Sequence, residues 1–591
     1  MPTIATQLSI PLKAAIRAAF GVDSDPLLGV SQNEKFGDYQ SNVAMGLAKT
    51  VGQNPRAVAE RIRSELNLGG MAEEVTIAGP GFINIRLSPQ WLAEELARRT
   101  DVRLGIEKIA HPQRVVVDYS GPNVAKEMHV GHLRSTIIGD AISRVLDFRG
   151  NDVIRQNHVG DWGTQFGMLI GYLVLVSLKQ GETDWDVLIR KWKDIEKSSG
   201  HVSLEEKSLI GDLEDFYRKA KQVFDSSEDF RNFARTLVVK LQRGDEPSVR
   251  ELWQDIVDET RRHYEPLYER LGVKLKRSDE RAESAYNSDL PIVVADLKRL
   301  GLAVESAGAT AVFIDGSDKT PLIVEKTDGG YPYSTTDLAA IRYRIRQLHA
   351  QRIIYTHDSR QAQHFAQVFA TAKKAGWAEG VSLEFAPFGT MLGEDGKPFK
   401  TRTGGTVKLK DLLDEAEERA LAVVTEKNPE LPEQRKRQIA TAVGIGGIKY
   451  ADLSKDRISD YVFSFDRMLA LDGNTAPYIQ YAHARIKSIF RKAGGAAPGK
   501  ITLSHPMELA LAKHILRLDE IIEIVDRELK PHHLCTFLYD LAAKFSAFFE
   551  NCPVIQSPDP LRASRLALCD LAARTLEVGM DLLGIQHPDQ M

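Results

Sequence analysis

The apolar positions of the chain change period several times, and each change predicts a different element. Leu8, Leu12, Ala15 and Ile16 recur three and four apart, and Val43, Leu47 and Val51 repeat that spacing, so two amphipathic helices are expected near the start. Pro80-Gly81 interrupts the pattern ahead of Phe82-Ile83-Asn84-Ile85-Arg86-Leu87, a short strand after a turn. Arg114-Val115-Val116-Val117-Asp118 is a β-branched run bounded by turn residues and reads as a buried strand. A helical segment, Leu133 through Ile142, separates it from a second strand, Asp152-Val153-Ile154-Arg155-Gln156, which makes a βαβ start. Arg352-Ile353-Ile354-Tyr355-Thr356 is a later strand of the same kind. Residues 178–285 are densely charged and mostly helical, an insertion whose Leu204-Glu205-Glu206-Lys207 and Arg243, Asp245 and Glu246 suit a solvated surface. From about 449 onward apolar residues again fall three and four apart, over 509–522, 535–549 and 561–583, as in a helical bundle.

This pattern divides the 591 residues into an N-terminal α+β unit at 1–108, an α/β part at 109–448 and an all-α part at 449–591. The fold class expected is multidomain α/β. Hydrophobic residues make up 43% and charged residues 27%, which is the balance of a globular protein. The longest apolar stretch, 166–178, is too short to span a membrane and suits a buried helix. Met1-Pro2-Thr3-Ile4-Ala5-Thr6-Gln7 has no charged-then-apolar layout, so a cytoplasmic protein without a membrane partner is expected. Cys535, Cys552 and Cys569 form no C-x-x-C pair, so buried free thiols are expected and no metal site. A net charge of −4 supplies no global basic field, so a nucleic acid would have to be held by local patches.

The densest chemistry lies in Asp118-Tyr119-Ser120-Gly121-Pro122-Asn123-Val124-Ala125-Lys126-Glu127-Met128-His129-Val130-Gly131-His132. A strand end, a loop and a helix start follow one another there, at the carboxyl edge of the sheet where such folds bind ligands. Free backbone N–H groups and the helix dipole favour an anion at that start. Two imidazoles can add hydrogen bonds to phosphate oxygens, and Gly131 lets a flat base approach the backbone. Alone, H-x-G-H would rather suit two surface histidines at a helix start.

Other clusters are weaker. Asp118 and Asp337 can each take a guanidinium in a two-pronged pair, and Tyr333 can stack on the same cation. Asn123 and Gln361 can bond neutral ends of a substrate. By themselves Asp337 also suits an N-cap and Tyr333 a core ring. Asn33-Glu34-Lys35-Phe36-Gly37-Asp38-Tyr39-Gln40 combines rings and amides that could read unpaired bases, or form a polar loop around one buried ring. Tyr478, Tyr481, Arg485, Lys487 and Arg491 offer stacking and phosphate contact, or a core helix with basic ends.

The Asp118–His132 stretch resembles the HIGH signature of class I aminoacyl-tRNA synthetases, in the long form of the arginyl-tRNA synthetases. Asn157-His158-Val159-Gly160-Asp161-Trp162-Gly163-Thr164-Gln165-Phe166-Gly167 is also similar to that family and is expected to border the active site. The resemblance covers essentially the whole chain. It implies a Rossmann-type parallel-sheet catalytic core with a helical insertion, an N-terminal add-on domain touching the tRNA elbow and a C-terminal anticodon-binding bundle. It implies ATP-dependent activation of L-arginine to arginyl-adenylate, then transfer to the 3′ end of tRNA(Arg).

Catalytic roles implied by the resemblance fall on His129, His132, Lys126, Lys397 and Lys400. ATP contacts fall on Pro122, His129, Gly131, His132, Lys397, Lys400 and Thr401. Arginine contacts fall on Asp118, Asn123, Tyr333, Asp337 and Gln361. Contacts with tRNA fall on Asn33, Phe36, Tyr39, Gln40, Tyr478, Tyr481, Arg485, Lys487, Phe549 and Met591. The K-M-S-K-S loop of class I synthetases is altered here, as in many arginyl-tRNA synthetases: Lys397 and Lys400 keep the lysine spacing, but Pro398 and Phe399 replace the middle residues. In the family a lysine before the histidines compensates, and Lys126 stands there. Glycines at 393, 396, 404 and 405 would let the loop move over a nucleotide, although a basic surface loop would look the same. ATP is expected with Mg2+, the chain as a monomer, and DNA is not expected as a partner. Another class I ligase, or a tRNA-binding paralogue without activity, would share the fold.

Overall fold

The computed structural model describes residues 2–591 except 164, 178–212, 244–245, 315–319, 400–406 and 495–496. The first helix, Ile4–Phe20, is capped by the Thr3 side chain, buries Leu8, Leu12, Ala15 and Ile16, and stops at Gly21 in the left-handed region. It packs with helices Val43–Val51 and Pro55–Glu65 over an antiparallel sheet ordered Leu28–Val30, Tyr39–Ser41, Phe82–Leu87, Ala72–Ala78. This unit is docked on the C-terminal bundle. Lys513 reaches Asp38 at 2.6 Å, and Arg99 pairs with Asp519 at 3.2 Å with both side chains buried.

The central sheet is parallel throughout, in the order Ser382–Phe385, Arg352–Tyr355, Arg114–Asp118, Asp152–Gln156. Val115, Val116 and Val117 are fully buried, as a strand covered on both faces requires. The helix Val130–Arg149 crosses between the two strands of the βαβ start and ends at Gly150 in a left-handed cap. It is buried on nearly all sides, because helices from the later part of the chain, Glu433–Leu453, Leu518–Glu528 and Leu561–Leu582, pack against it. Arg134 on this helix meets Asp452 at 2.8 Å in the dry interior.

Within the expected insertion the described helices are Leu213–Ser226, Glu228–Arg243 and Pro247–Leu271. Residues 204–207, Asp245 and the side chain of Arg243 lie outside what is described, and Glu246 is half-buried. These helices share one apolar core with Val124, Ala125, Val159 and the helix Gln165–Ser177. They therefore support the loop before the histidines directly.

The C-terminal part is helical. The helix expected over 509–522 is broken into Pro506–Ile515 and Leu518–Glu528. Leu516 and Leu518 stay buried across the break, so the apolar spacing survives a change of direction that periodicity cannot register. The helix Glu433–Leu453 runs through the boundary at 448/449. Lys449, near its C-terminal end, is buried and donates to the carbonyls of Leu271 at 2.8 Å and Gly584 at 2.5 Å. All three cysteines are free and buried. Among the described residues no helix is long and apolar enough to cross a membrane.

Candidate functional site

After Asp118 the chain turns sharply, with positive φ at Ser120, Gly121 and Ala125. Hydrogen bonds to other elements hold the loop in place. Gly121 donates its N–H to Oδ1 of Asn157 at 2.9 Å, Ala125 donates to Thr260 at 2.9 Å, and the Ser120 and Tyr268 hydroxyls meet at 2.6 Å. Thr260 and Tyr268 belong to the inserted helix Pro247–Leu271, and Asn157 opens the segment expected to border the site.

His129 is the N-cap of the following helix. Its Nδ1 accepts the N–H of Gly131 at 3.0 Å, and Nδ1 of His132 accepts the N–H of His129 at 3.1 Å. An Nδ1 that accepts carries no proton, so in each neutral ring the proton is on Nε2. Burial, reinforced by the neighbouring His129 and Lys126, pushes His132 down to about 3. Burial, Lys126 and Arg360 lower His129 in the same direction. The two rings are 3.9 Å apart and would repel each other if both were charged. A Cβ on Gly131 would lie 2.8 Å from Cε1 of His129, so only glycine leaves this ring its position. Lys126 is exposed with Nζ 5.0 Å from the Tyr217 ring, and Pro122 is buried with its carbonyl accepting from Gly160.

The chain after the lysine loop returns to this same place. Val130 donates to the carbonyl of Val407 at 3.3 Å, and Leu409 donates to Met128 at 2.8 Å. At its start a hairpin exposes Lys397, whose backbone N–H is held by Asp395 at 3.1 Å. Lys400 and Thr401 lie outside the described residues.

Acidic groups gather around His158. Asp118 is buried and ion-paired with Arg344 at 2.7 Å, and Arg344 also donates to Gln156. Burial opposes the Asp118 charge, but Arg344 and then His357 outweigh it and hold the carboxyl well below the usual range. An internal guanidinium thus takes Oδ2 of Asp118, while Oδ1 has no hydrogen-bond partner among the described residues. Asp337 accepts from Nε2 of His364 at 2.6 Å, and the 65% exposed Tyr333 lies 4.7 Å from that imidazole. Asn123 is exposed with Oδ1 over Gly160, where a Cβ would stand 2.7 Å away. Gln361 is exposed at the start of helix Ala362–Lys374.

Glu283, at the far end of the insertion, was not singled out from sequence. Its backbone donates to Val159, and its side chain has no ion pair among the described residues. Burial, Asp337 and Asp161 together push its carboxyl up to about 8. The only local signal was an acidic residue in a charged region, which carries no information about what folds against it.

Two surfaces hold the remaining residues. Asn33 and Phe36 are exposed, with Phe36 at 50%. Gln40 donates to Asn84 at 2.7 Å. Tyr39 is corrected: it is 2% exposed, its hydroxyl donates to Glu520 at 2.6 Å, and it cannot stack on a base. In the bundle, Tyr481, Arg485, Phe549 and Met591 line one cavity of about 680 Å3, and the Arg485 guanidinium sits 4.4 Å over the Phe549 ring. Tyr478 faces Tyr539 instead, at 5.5 Å, and Lys487 is held by Glu577 at 2.6 Å. Neither of these two lines the cavity, because each points to a different side of helix Ala476–Lys492.

Three family descriptions match the chain: "tRNA synthetases class I (R), catalytic domain" over residues 97–465, "DALR anticodon binding domain" over 479–591 and "Arginyl tRNA synthetase N terminal domain" over 6–87. The chain is 50% identical over 597 residues to an arginine–tRNA ligase of Chromobacterium violaceum, covering 100% of both. It is 51% identical to that of Hahella chejuensis, covering 98% of both. The crystal structure of arginyl-tRNA synthetase from Plasmodium falciparum superposes with a TM-score of 0.83 at 31% identity, covering 100% of both chains.

Proposed function

The chain belongs to the arginyl-tRNA synthetases, and from that premise we propose the residue roles by which it couples arginine to tRNA. It is an arginine–tRNA ligase, and ATP is its substrate. Neither a ligase for another amino acid nor an inactive paralogue is favoured by relatives this similar over their whole length. The observation that carries the mechanism is the pair of neutral imidazoles at a helix start, each with its Nδ1 accepting a backbone N–H and its proton on Nε2.

The arginine carboxylate attacks the α-phosphate of ATP, giving arginyl-adenylate and pyrophosphate. A terminal ribose hydroxyl of the tRNA then attacks the adenylate carbonyl, giving arginyl-tRNA and AMP. His129 and His132 donate to phosphate oxygens as negative charge grows on them, aided by the dipole of the helix they open. No enzyme group becomes covalently attached, so the residues contribute positioning and charge. Lys126, Lys397 and Lys400 hold the outer phosphates of Mg2+-ATP, with Thr401 beside them. Pro122 and Gly131 leave room for the nucleotide.

The substrate guanidinium lies between Asp337 and Glu283, with Tyr333 over it. Asn123 and Gln361 bond the amino-acid end. Asp118 holds Arg344 through Oδ2 and offers its unpaired Oδ1 to the substrate. Asn33, Phe36 and Gln40 face the tRNA elbow in a domain at 1–108, and the Tyr481–Arg485–Phe549–Met591 cavity takes an anticodon base in a domain after the helix Glu433–Leu453. We place the enzyme in the cytoplasm as a monomer.

ATP–pyrophosphate exchange with arginine, run with and without tRNA(Arg), tests the reading. Exchange that depends on the tRNA is expected. Exchange without tRNA removes that dependence, and exchange driven by another amino acid refutes the pocket.

A further inference from the structure

We propose that His483, Glu577 and His587 form a site for a zinc-type divalent ion that clasps the C-terminal tail onto the helical bundle. The three residues come from different elements. His483 lies on helix Ala476–Lys492, Glu577 on helix Leu561–Leu582, and His587 on the tail beyond it. One ligand atom from each falls within 4.8 Å of the others, the one such cluster of three among the described residues.

The first two are already close to the spacing of neighbouring ligands. Nε2 of His483 is 2.9 Å from Oε1 of Glu577. Bonds of about 2.0–2.2 Å to one tetrahedral ion place two donor atoms roughly 3.3–3.6 Å apart, so these two need separate by only about half an ångström. His483 is fully buried, and its Nδ1 faces the carbonyl of Pro588 at 3.2 Å. A carbonyl only accepts, so Nδ1 carries the proton. Nε2 is then either a lone pair aimed at the cluster or the second N–H of an imidazolium. Outer hydrogen bonds of this kind fix the tautomer of metal-binding histidines. His587 has a similar support, Nε2 to Asp581 at 3.2 Å. His587 and Glu577 are half-buried, which leaves an entry path, and two nitrogens with one carboxylate suit Zn2+ over Mg2+ or Ca2+.

Lys487 is the competitor. Its Nζ lies 2.6 Å from Oε1 of Glu577 and neutralises that carboxylate when no ion is bound. Burial opposes the Glu577 charge, yet the bonds from His483 and Lys487 keep it ionised. An entering ion displaces the ammonium toward Asp589, 4.0 Å from it.

The tail matters because of where it goes. Gln480 holds the Gln586 carbonyl at 2.7 Å, Arg491 holds that of Asp589 at 3.1 Å, and Gln590 and Met591 then line the cavity beside Phe549. A bound ion would lock the last residues of that wall.

The test uses the full-length protein stripped of metal by a chelator, with Co2+ as a visible probe and Zn2+ as competitor. One equivalent of Co2+ is expected to give the absorption of a tetrahedral site, removed by Zn2+. His587→Ala and Glu577→Gln should each weaken binding by more than the roughly 10–100-fold that loss of an outer-shell partner costs. Lys487→Met should tighten it, and Zn2+ should raise the melting temperature of the parent protein but not of His587→Ala. Melting in chelator checks that each variant folds. If one does not, the other and Lys487→Met still decide. Absence of the Co2+ spectrum, or a spectrum indifferent to all three substitutions, overturns the site.

Discussion

Nδ1 of His132 accepts the backbone N–H of His129 across one helical turn, so the second signature histidine fixes the first as well as itself. Its imidazole, held at about 3, stays neutral through the whole working range of pH. His132→Ala is expected to lower kcat for arginine activation by about 10²–10³-fold, the cost of one donor to a developing oxyanion. Lost capping should cost only about 1 kcal/mol of stability. The ring protonates in the unfolded chain below its ordinary 6.5 but not in the fold, so its contribution is complete above that value and is lost as pH falls toward about 3. Exchange kinetics and thermal melts measure the two effects separately. A kcat that follows stability would assign the residue to the cap alone.

Gly131→Ala tests the same geometry without removing a donor. The new Cβ meets the His129 ring at 2.8 Å and must turn it. The helix itself should gain from alanine. A protein that melts no lower than its parent yet loses most of its kcat, with KM for arginine unchanged, is the expected result.

Glu283 should make arginine binding release protons. Its folded value of about 8 against an ordinary 4.5 means the empty pocket holds a proton at neutral pH. A guanidinium favours the ionised form, so binding expels that proton. Calorimetry in buffers of different ionisation enthalpy should show release near pH 7, abolished in Glu283→Gln. For the unliganded protein the stabilising effect of this proton is complete below 4.5 and is lost as pH rises through about 8. Asp337→Asn should instead raise the arginine KM at every pH, by roughly 30-fold or more, as expected for a truncated charge pair.

The contrast between these acids explains what could be read from sequence. The signature strand, loop and helix were legible because their information is local: a β-branched run, a turn, and capping residues at fixed spacing. Asp337 was accessible as part of such a segment. Glu283 reaches the pocket only because the insertion folds back over Val159, a tertiary fact without a local trace. The internal partner of Asp118 was hidden for the same reason. Arg344, 226 residues later, folds onto it. The break at Leu516 was hidden because burial continued through it.

Tyr39 gives a sharp negative test. With its hydroxyl on the buried Glu520, Tyr39→Phe leaves a carboxylate short of a donor. Stability should fall by about 1–3 kcal/mol. The KM for tRNA should stay at the parental value at temperatures where the variant is folded. A variant of unchanged stability but weakened tRNA binding would return Tyr39 to the RNA surface.

Phe549 should behave in the opposite way. Its ring lies in an open cavity with Tyr481 and Met591, and Arg485 covers one face. That cation–π contact pre-orients the guanidinium for phosphate while the cavity keeps room for a base. Loss of a stacking platform costs about 1–3 kcal/mol per base, or roughly 5–150-fold in affinity. Phe549→Ala should raise the KM for tRNA within that range and leave the KM for ATP unchanged. Phe549→Tyr should restore most of the loss, because the stacking face returns. The cavity is remote in sequence from the histidines, so exchange at saturating tRNA should recover nearly the parental rate. A rate that stays low at saturation would mean the base contact also sets the active-site geometry, and the cavity would then act in catalysis as well as in binding.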